Sequence, residues 1–505
     1  MSSVPTSSSA EPGSTVTRDL VASLAFGAPV ALLFAVIAHE TATWQLLIFL
    51  AICFAAALFW FRDTVGVFLA MFVMTAPVDL SKALIIPGGV YSPGLSLFLS
   101  DFFLAGLALT WAFRYFILNG QPLHLDRLHR LALLFLAWLW ISALYSHDKL
   151  AGTLAALTYS KFFLVYYILS LMLRETRYFR LTLLSFFAGF LLQAMYVTAQ
   201  FATGSPLELQ GAKITELGTR LVFTAGEAIH SFRPSGFLHH PNVLADYLVF
   251  LLPTSFALAL LGKRLVSPRL WWAAVFVSVV GSCMLVVSLS RGGWLSLAAA
   301  MVFFIAAGLR QGLVKRLHVS ALLSAAVIGA AVVAIAYPAA YLRITHNDQR
   351  STESRFAMMD QALKIIRENP VLGVGFGGYN RAAQMTTPES FSYLSPHFQD
   401  ELRKGVVHNK YLLVTAEHGL VGLALFILLL WRFVSLVFPV GKWRSQVHFA
   451  LALGLTAGIV GQTIFYIFDH FYADIRPALL WVFFGLLHGL IALNHLASKK
   501  ETVQQ

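Results

Sequence analysis

Residues 270–309 read LWWAAVFVSVVGSCMLVVSLSRGGWLSLAAAMVFFIAAGL, two apolar runs joined by Ser290, Arg291 and Gly292. Arg291 is the one charge in that stretch. Each run is long enough to cross a hydrocarbon core of about 30 Å as a helix, so the pair forms a transmembrane hairpin. The rest of the chain follows suit. A window of about 19 residues finds further apolar runs at 20–38, 44–61, 64–79, 99–117, 130–146, 157–173, 180–201, 242–262, 319–338, 411–433, 446–468 and 474–495. The sequence therefore predicts an all-α polytopic integral membrane protein of about 12–14 transmembrane helices with a large extracytoplasmic helical loop. The upper figure holds if the short third run and both arms of the 270–309 hairpin each span.

Composition excludes the other classes. Hydrophobic residues make up 58% of the chain and charged ones 12%, with a mean hydropathy of +0.73. No soluble enzyme, disordered scaffold or secreted disulfide framework accommodates that. Cys53 and Cys283 both fall inside apolar runs, so neither a disulfide nor a zinc framework is indicated.

The formal net charge of +12 must sit in loops that meet anionic headgroups or an anionic ligand. Arg174, Arg177 and Arg180, then Lys263, Arg264 and Arg269, then Arg310, Lys315 and Arg316, then Arg432, Lys442 and Arg444, and finally Lys499 and Lys500 all fall on one face. The positive-inside rule makes that face cytoplasmic. With an even number of spans both termini lie there: residues 1–19 as a Ser-rich disordered tail and 496–505 as a second tail. Between them, 20–338 hold eleven spans with an outer loop at 202–240, 339–407 form the large outer loop, and 408–495 hold three spans.

Polar groups inside spans are expensive and mark sites. Here they are Asp101, Lys161, Gln193, Gln200, Asp246, Glu417, Gln462 and Asp469, all toward the outer ends of their runs. A transporter needs such groups at the midplane, on broken helices in repeated halves. The one-sided distribution favours a reaction centre on the outer face, open to lipid. Lys161 and Asp101 also admit simple interfacial snorkelling.

Six constellations occupy that side. The first runs Arg233, Pro234, Ser235, Gly236, Phe237, Leu238, His239, His240, Pro241, Asn242 into a span containing Asp246. Pro241 suits the first turn of a helix. A guanidinium above a helix N-terminus is unfavourable unless an anion sits between them, so Arg233 reads as a phosphate ligand. Arg291, in the Ser-Arg-Gly turn, is on the same side. In the large loop a helix from about Glu353 to Glu368 carries Arg355 within about 40° of Met359, Ala362 and Ile366, in the middle of the apolar face, where it needs a buried acid or a ligand phosphate. Gly373, Val374, Gly375, Phe376, Gly377 and Gly378 match GxGxxG, but no strand precedes them. They read as a turn that packs closely or bends around substrate, with no dinucleotide implied.

Last come His408, Asn409 and Lys410, followed by Glu417, His418, Gly419 and Gly422, and then the aromatic, acidic turn around Asp469 and His470. His408 suits a proton acceptor near working pH. Glu417 reads as a buried partner for Lys410 or an arginine, and Asp469 as a ligand for sugar hydroxyls. No DxD, HExxH or His/Asp cluster with metal spacing is visible, so no metal or other cofactor is implied.

The ordered set over roughly residues 180–480 resembles the O-antigen ligase and O-antigen polymerase superfamily. The resemblance implies a metal-independent membrane glycosyltransferase in the bacterial inner membrane. It would take a glycan from undecaprenyl diphosphate on the periplasmic face and pass it to an acceptor glycan or to lipid A core, with no nucleic acid involved. It places His408 as the essential histidine and Arg233, Arg291 and Arg355 on the lipid diphosphate; Asp246, Asn409, Glu417, Asp469 and His240, near these in the sequence, are read as supporting or sugar-binding residues. Fourteen spans exceed the number usual for ligases. That tilts the expectation toward an exopolysaccharide or O-antigen polymerase, for which a chain-length regulator is an expected partner. A non-enzymatic flippase of lipid-linked glycan is the third alternative.

Overall fold

The computed structural model describes residues 63–85, 94–207, 219–225, 227–238, 240–315, 337–345, 349–388, 391, 396–438, 443, 445–469 and 475–504. The spans expected at 20–38 and 44–61, that expected at 319–338 apart from its last two residues, and His239 and His470 lie outside the described residues. Two compact units are distinguished. The first, Met1–Val67 with Glu208–Ile214, includes the start of helix α1 (Thr64–Thr75) among its described residues. The second, Phe68–Leu207 with Thr215–Gln505, contains everything discussed below.

Ten helices among the described residues are long and apolar enough to cross a membrane, and each coincides with a run read from hydropathy. They are α2 (Leu99–Ala112, continued as a π-helix to Leu118), α3 (Arg127–Leu144), α4 (Lys149–Met172), α5 (Thr176–Thr203), α6 (Pro241–Leu261), α7 (Pro268–Val287), α8 (Arg291–Arg310), α13 (Lys410–Ser435), α14 (Gln446–Phe465) and α15 (Ile475–Gln504). Among the described residues between α8 and α13 lie four shorter helices, α9 (Pro338–Thr345), α10 (Gln349–Glu368), α11 (Tyr379–Met385) and α12 (Pro396–Lys404). The chain is thus a multi-pass, all-α membrane protein. Among the described residues the structure adds to the helices two antiparallel hairpins, β1 (Ser81–Ile85) with β2 (Leu95–Phe98) and β3 (Thr219–Ala225) with β4 (Glu227–Arg233). The second hairpin stands in the outer loop expected at 202–240, and pairing of Thr219 with Arg233 closes its open end.

Capping explains where many of these helices begin. The side chains of Asp126, Asp148, Ser267, Ser290, Asn409 and Ser445 each accept a backbone N–H in the first turn of the helix that follows, filling donors a helix start leaves open. Helices α6 and α7 begin with Pro241 and Pro268, where the missing N–H costs nothing. Helices α6 and α14 pack backbone to backbone. A Cβ added at Gly454 would lie 2.6 Å from Thr254 Cα, and one at Gly458 2.7 Å from the Phe250 carbonyl. Small residues at such a contact let two membrane helices approach when lipid supplies no hydrophobic drive between them.

The glycine turn has a packing role. Helix α13 breaks at Gly419, with φ 66° and ψ −171°. In an unbroken helix the carbonyls of Ala416 and Glu417 would accept from residues four positions on. Here they accept from Val374 N and Gly375 N at 2.9 Å each, and Leu420 N donates to the Pro370 carbonyl at 2.9 Å. Gly375 has φ 89°, and a Cβ there would sit 2.2 Å from Ser146 Cα. The turn therefore plugs the broken helix against the end of α3.

Candidate active site

Arg233 ends β4 and is 5% exposed. The chain leaving it is clamped by two amides of α5. Gln200 Oε1 accepts from Ser235 N at 3.1 Å and Gly236 N at 2.8 Å, and Gln193 Oε1 accepts from Phe237 N at 2.9 Å. Two of the polar groups that hydropathy flags inside spans thus hold the Arg233 segment in place. The guanidinium donates through Nε to the Ser288 carbonyl at 2.7 Å and through Nη2 to Asn242 Oδ1 at 3.0 Å.

The neighbouring carbonyl takes a second arginine. Arg343 of α9 donates through Nε to the Leu289 carbonyl at 3.3 Å. Leu289 is fully buried with φ 50°, a left-handed conformation that costs a residue with a Cβ about 1–2 kcal/mol. Packing of its side chain with Ala339 and Ala340 offsets that cost and seats α9 on the α7–α8 turn. The strain turns two successive carbonyls toward two guanidinium groups. Arg343 was not among the residues the sequence singled out, because an eight-residue helix holding one arginine has no distinguishing pattern.

Arg291 stands in the first turn of α8 and Arg355 on α10. Burial first, and then the positive charges of Arg343, Arg355 and Arg291, push the Arg233 guanidinium down to about 9, with Tyr337 acting in the opposite sense. The three arginines expected from the sequence therefore act on one locality, and Arg343 joins them. The N-termini of α6 and α8 lie in the same region and add their partial positive charge. Such a gathering is unfavourable by itself and favourable around an anion.

Arg355 sits at the margin of the buried face of α10, not in its middle. That face is formed by Ala357, Gln361, Ala362 and Ile365, and Arg355 is half-buried beside it. Gln361, fully buried, donates to the carbonyls of Ala383 at 2.8 Å and Thr386 at 3.0 Å. A polar residue on the inner face rotates that face away from where an apolar count puts it.

The acid–base side of the site starts from Asn242. Its Nδ2 donates to Asp469 Oδ2 at 3.2 Å, and Asp469 Oδ1 lies 3.5 Å from His408 Nδ1. Asp469 is buried, while the His408 side chain is 37% exposed, so the ring presents an accessible edge. Two hydrogen bonds join Arg233, Asn242 and Asp469, and the 3.5 Å contact of Asp469 extends the path to His408, drawing on four segments of the chain. Asn409 caps α13 through Leu412 N at 3.0 Å and donates to the Ile467 carbonyl at 3.2 Å, and Lys410 N donates to the Tyr466 carbonyl at 2.8 Å. These bonds fix His408 against the end of α14 that carries Asp469.

The remaining candidates separate. His240 caps α6, its Nδ1 accepting from Asn242 N at 3.1 Å, and so positions Asn242. Asp246 is fully buried one turn deeper on α6. Glu417 lies roughly 13 Å along α13 from His408, where its Oε1 accepts from Tyr379 N at 3.3 Å beside the glycine turn. Lys410 donates to the Tyr159 hydroxyl at 3.2 Å. Lys161 and Asp101 form an ion pair at 3.0 Å, which gives each a partner beyond snorkelling.

A multi-pass membrane protein in which half-buried arginines gather around the buried Arg233, near a histidine, is the class this fold and site define. Residues 276–427 match the family model described as O-antigen ligase. The match supports membership of the O-antigen ligase and polymerase superfamily, a family of glycosyltransferase-like membrane enzymes whose substrates are in general a lipid-linked glycan and an acceptor. It spans Arg291, Arg343, Arg355 and His408; Arg233, Asn242 and Asp469 come from outside it. No curated protein matches the chain.

Proposed function

We propose that this protein transfers a glycan from undecaprenyl diphosphate to an acceptor hydroxyl at the periplasmic face of the inner membrane, with a growing glycan as acceptor, so that it acts as a polymerase. The observation that carries the reading is the path from Arg233 through Asn242 and Asp469 to His408, which ties a binding site for a diphosphate to a group able to take a proton. Arg233, Arg291, Arg343 and Arg355 hold the diphosphate. Guanidinium groups suit the task because they stay charged in a water-poor site and bind phosphate oxygens in pairs. As the bond between the anomeric carbon and the phosphate oxygen breaks, the leaving diphosphate gains negative charge and preorganised cations stabilise it.

His408 takes the proton of the attacking hydroxyl as the new bond to the anomeric carbon forms. Asp469 facing Nδ1 favours the tautomer with its proton there, which leaves Nε2 as the acceptor, as in other carboxylate-oriented histidines. A double displacement needs a carboxylate nucleophile beside a second acid. Asp469 is occupied by Asn242 and His408, and Glu417 is distant, so the transfer is a single displacement with inversion. A product linkage with retained configuration would count against it.

A ligase that delivers the chain to lipid A core shares the same donor site and differs in the acceptor. Surface polysaccharide and lipid-linked intermediates of a deletion strain, complemented with wild type or His408→Ala, separate the readings. Single repeat units left on the carrier with no long chains support the polymerase. Long chains accumulating on the carrier support the ligase. Full function of His408→Ala removes the catalytic assignment.

A further inference from the structure

Lys410 opens α13, two residues beyond His408, and is 7% exposed. An ammonium offers three N–H donors. One goes to the Tyr159 hydroxyl of α4 at 3.2 Å, and the others have no acceptor among the described residues. No carboxylate there pairs with the ammonium either. Glu417, seven positions along the same helix and roughly 10 Å away, accepts from Tyr379 N at 3.3 Å and stands 4.0 Å from His418 Nε2. A buried charge without a counter-charge is costly, and the partial positive charge of a helix start adds to the cost.

A cavity of about 280 Å³ lies against this side chain, between α3, α4, α13 and α15. Lys410, Tyr159 and Tyr466 line it together with the rings of Phe135, Phe426 and Trp481, and no acidic residue does. Pockets for organic ligands begin at about 300 Å³, so this one suits a small ion or a water. Water would accept from the remaining N–H groups of Lys410 and leave the charge unanswered, whereas a small anion answers both. The Tyr159 oxygen accepts from Lys410, which leaves its own hydrogen to donate to the same anion.

We propose that this cavity binds a chloride ion, held by the Lys410 ammonium and the Tyr159 hydroxyl. The ion supplies the negative charge that the start of α13 needs and fastens that start to α4. Lys410 N donates to the Tyr466 carbonyl at 2.8 Å, so the ion braces the turn of chain that carries His408. Neither Lys410 nor Tyr159 holds the diphosphate or takes the proton in glycan transfer, so chloride binding and transfer succeed or fail separately.

The test takes the full-length protein in detergent, exchanged into gluconate, and adds chloride at constant ionic strength while melting temperature and the chlorine NMR line width are followed. A saturable response is expected, with a melting temperature that rises as the site fills, and bromide replaces chloride. Lys410→Met removes the response and is expected to fold, because an apolar side chain of similar length takes the place of an isolated buried charge. Tyr159→Phe keeps the ammonium and weakens chloride binding about 10–100-fold through the lost hydrogen bond. No chloride dependence in either readout overturns the proposal and leaves water beside Lys410. A response that persists in Lys410→Met also overturns it, by assigning the ion to the arginines around Arg233. If Lys410→Met does not fold, the Tyr159→Phe titration decides, with unchanged affinity overturning the site.

Discussion

Asn242 holds Asp469 through a 3.2 Å hydrogen bond from its Nδ2, and the same side chain accepts from Arg233 through Oδ1 at 3.0 Å. One amide thus faces both the anion-binding and the proton-accepting halves of the site. Asn242→Ala is expected to lower kcat by about 10–100-fold, by freeing both Asp469 and Arg233 from a fixed geometry. Asn242→Asp sets a carboxylate against Asp469 and is expected to lower it further. Transfer assays on the two purified variants, with melting temperatures as a folding control, check the order.

His408→Ala is expected to reduce glycan transfer by about 10²–10⁴-fold, the usual contribution of a general base. Asp469→Asn keeps the shape and loses the tautomer preference, so it lowers kcat while leaving the KM for the lipid donor nearly unchanged. A KM effect equal to the kcat effect would point to Asp469 as a sugar ligand instead.

Arg343 is expected to act on donor binding. Arg343→Ala raises the KM or Kd for a polyprenyl diphosphate by about 10–100-fold, the size of a lost charge-assisted hydrogen bond. Arg343→Lys recovers part of it, since a point charge replaces a planar fork. Binding measured with a non-transferable donor analogue separates this from any effect on chemistry.

Arg233 gives donor binding a pH signature. Its guanidinium, pushed down to about 9 in the free protein, holds its proton more tightly once a diphosphate lies beside it. Below about pH 9 the group is already charged and binding is at full strength. Above that, binding must bring in a proton, so affinity falls, by at most about tenfold per pH unit. A titration of donor affinity across this range in wild type and Arg233→Met is expected to show the fall in the first and a flatter curve in the second.

Gly375→Ala tests the plug in the broken helix. The added methyl meets Ser146 Cα at 2.2 Å from a backbone with φ 89°, so the turn must leave α13 and expose the carbonyls of Ala416 and Glu417. A loss of about 3 kcal/mol or more is expected, read as a large drop in melting temperature. Gly120→Ala, also at positive φ but with open space around it, is expected to cost much less.

The spans were legible because hydropathy is a local property: a run of apolar residues in lipid has to close its own hydrogen bonds, and a helix does that without distant partners. Pro241 at a helix start was legible for the same reason, whereas Asn409, expected in a supporting or sugar-binding role, caps α13 in the structure. Arg233, Arg291, Arg355 and His408 could be singled out because each is costly where it stands unless something answers it. The face of α10 was misjudged by the position of Arg355, since Gln361 looks polar in sequence and is buried by carbonyls that only α11 and the residue after it supply.

The sequence by itself determined a helical, multi-pass membrane protein. Tertiary structure alone decided that Asn242 links Arg233 to Asp469, that Arg343 joins three other arginines, and that Lys410 meets Tyr159. The physical reason is separation along the chain. A helix is fixed by bonds four residues apart, whereas Asp469 is 227 residues from Asn242, and contacts over such distances are set by which helix faces pack together. No local pattern encodes that choice.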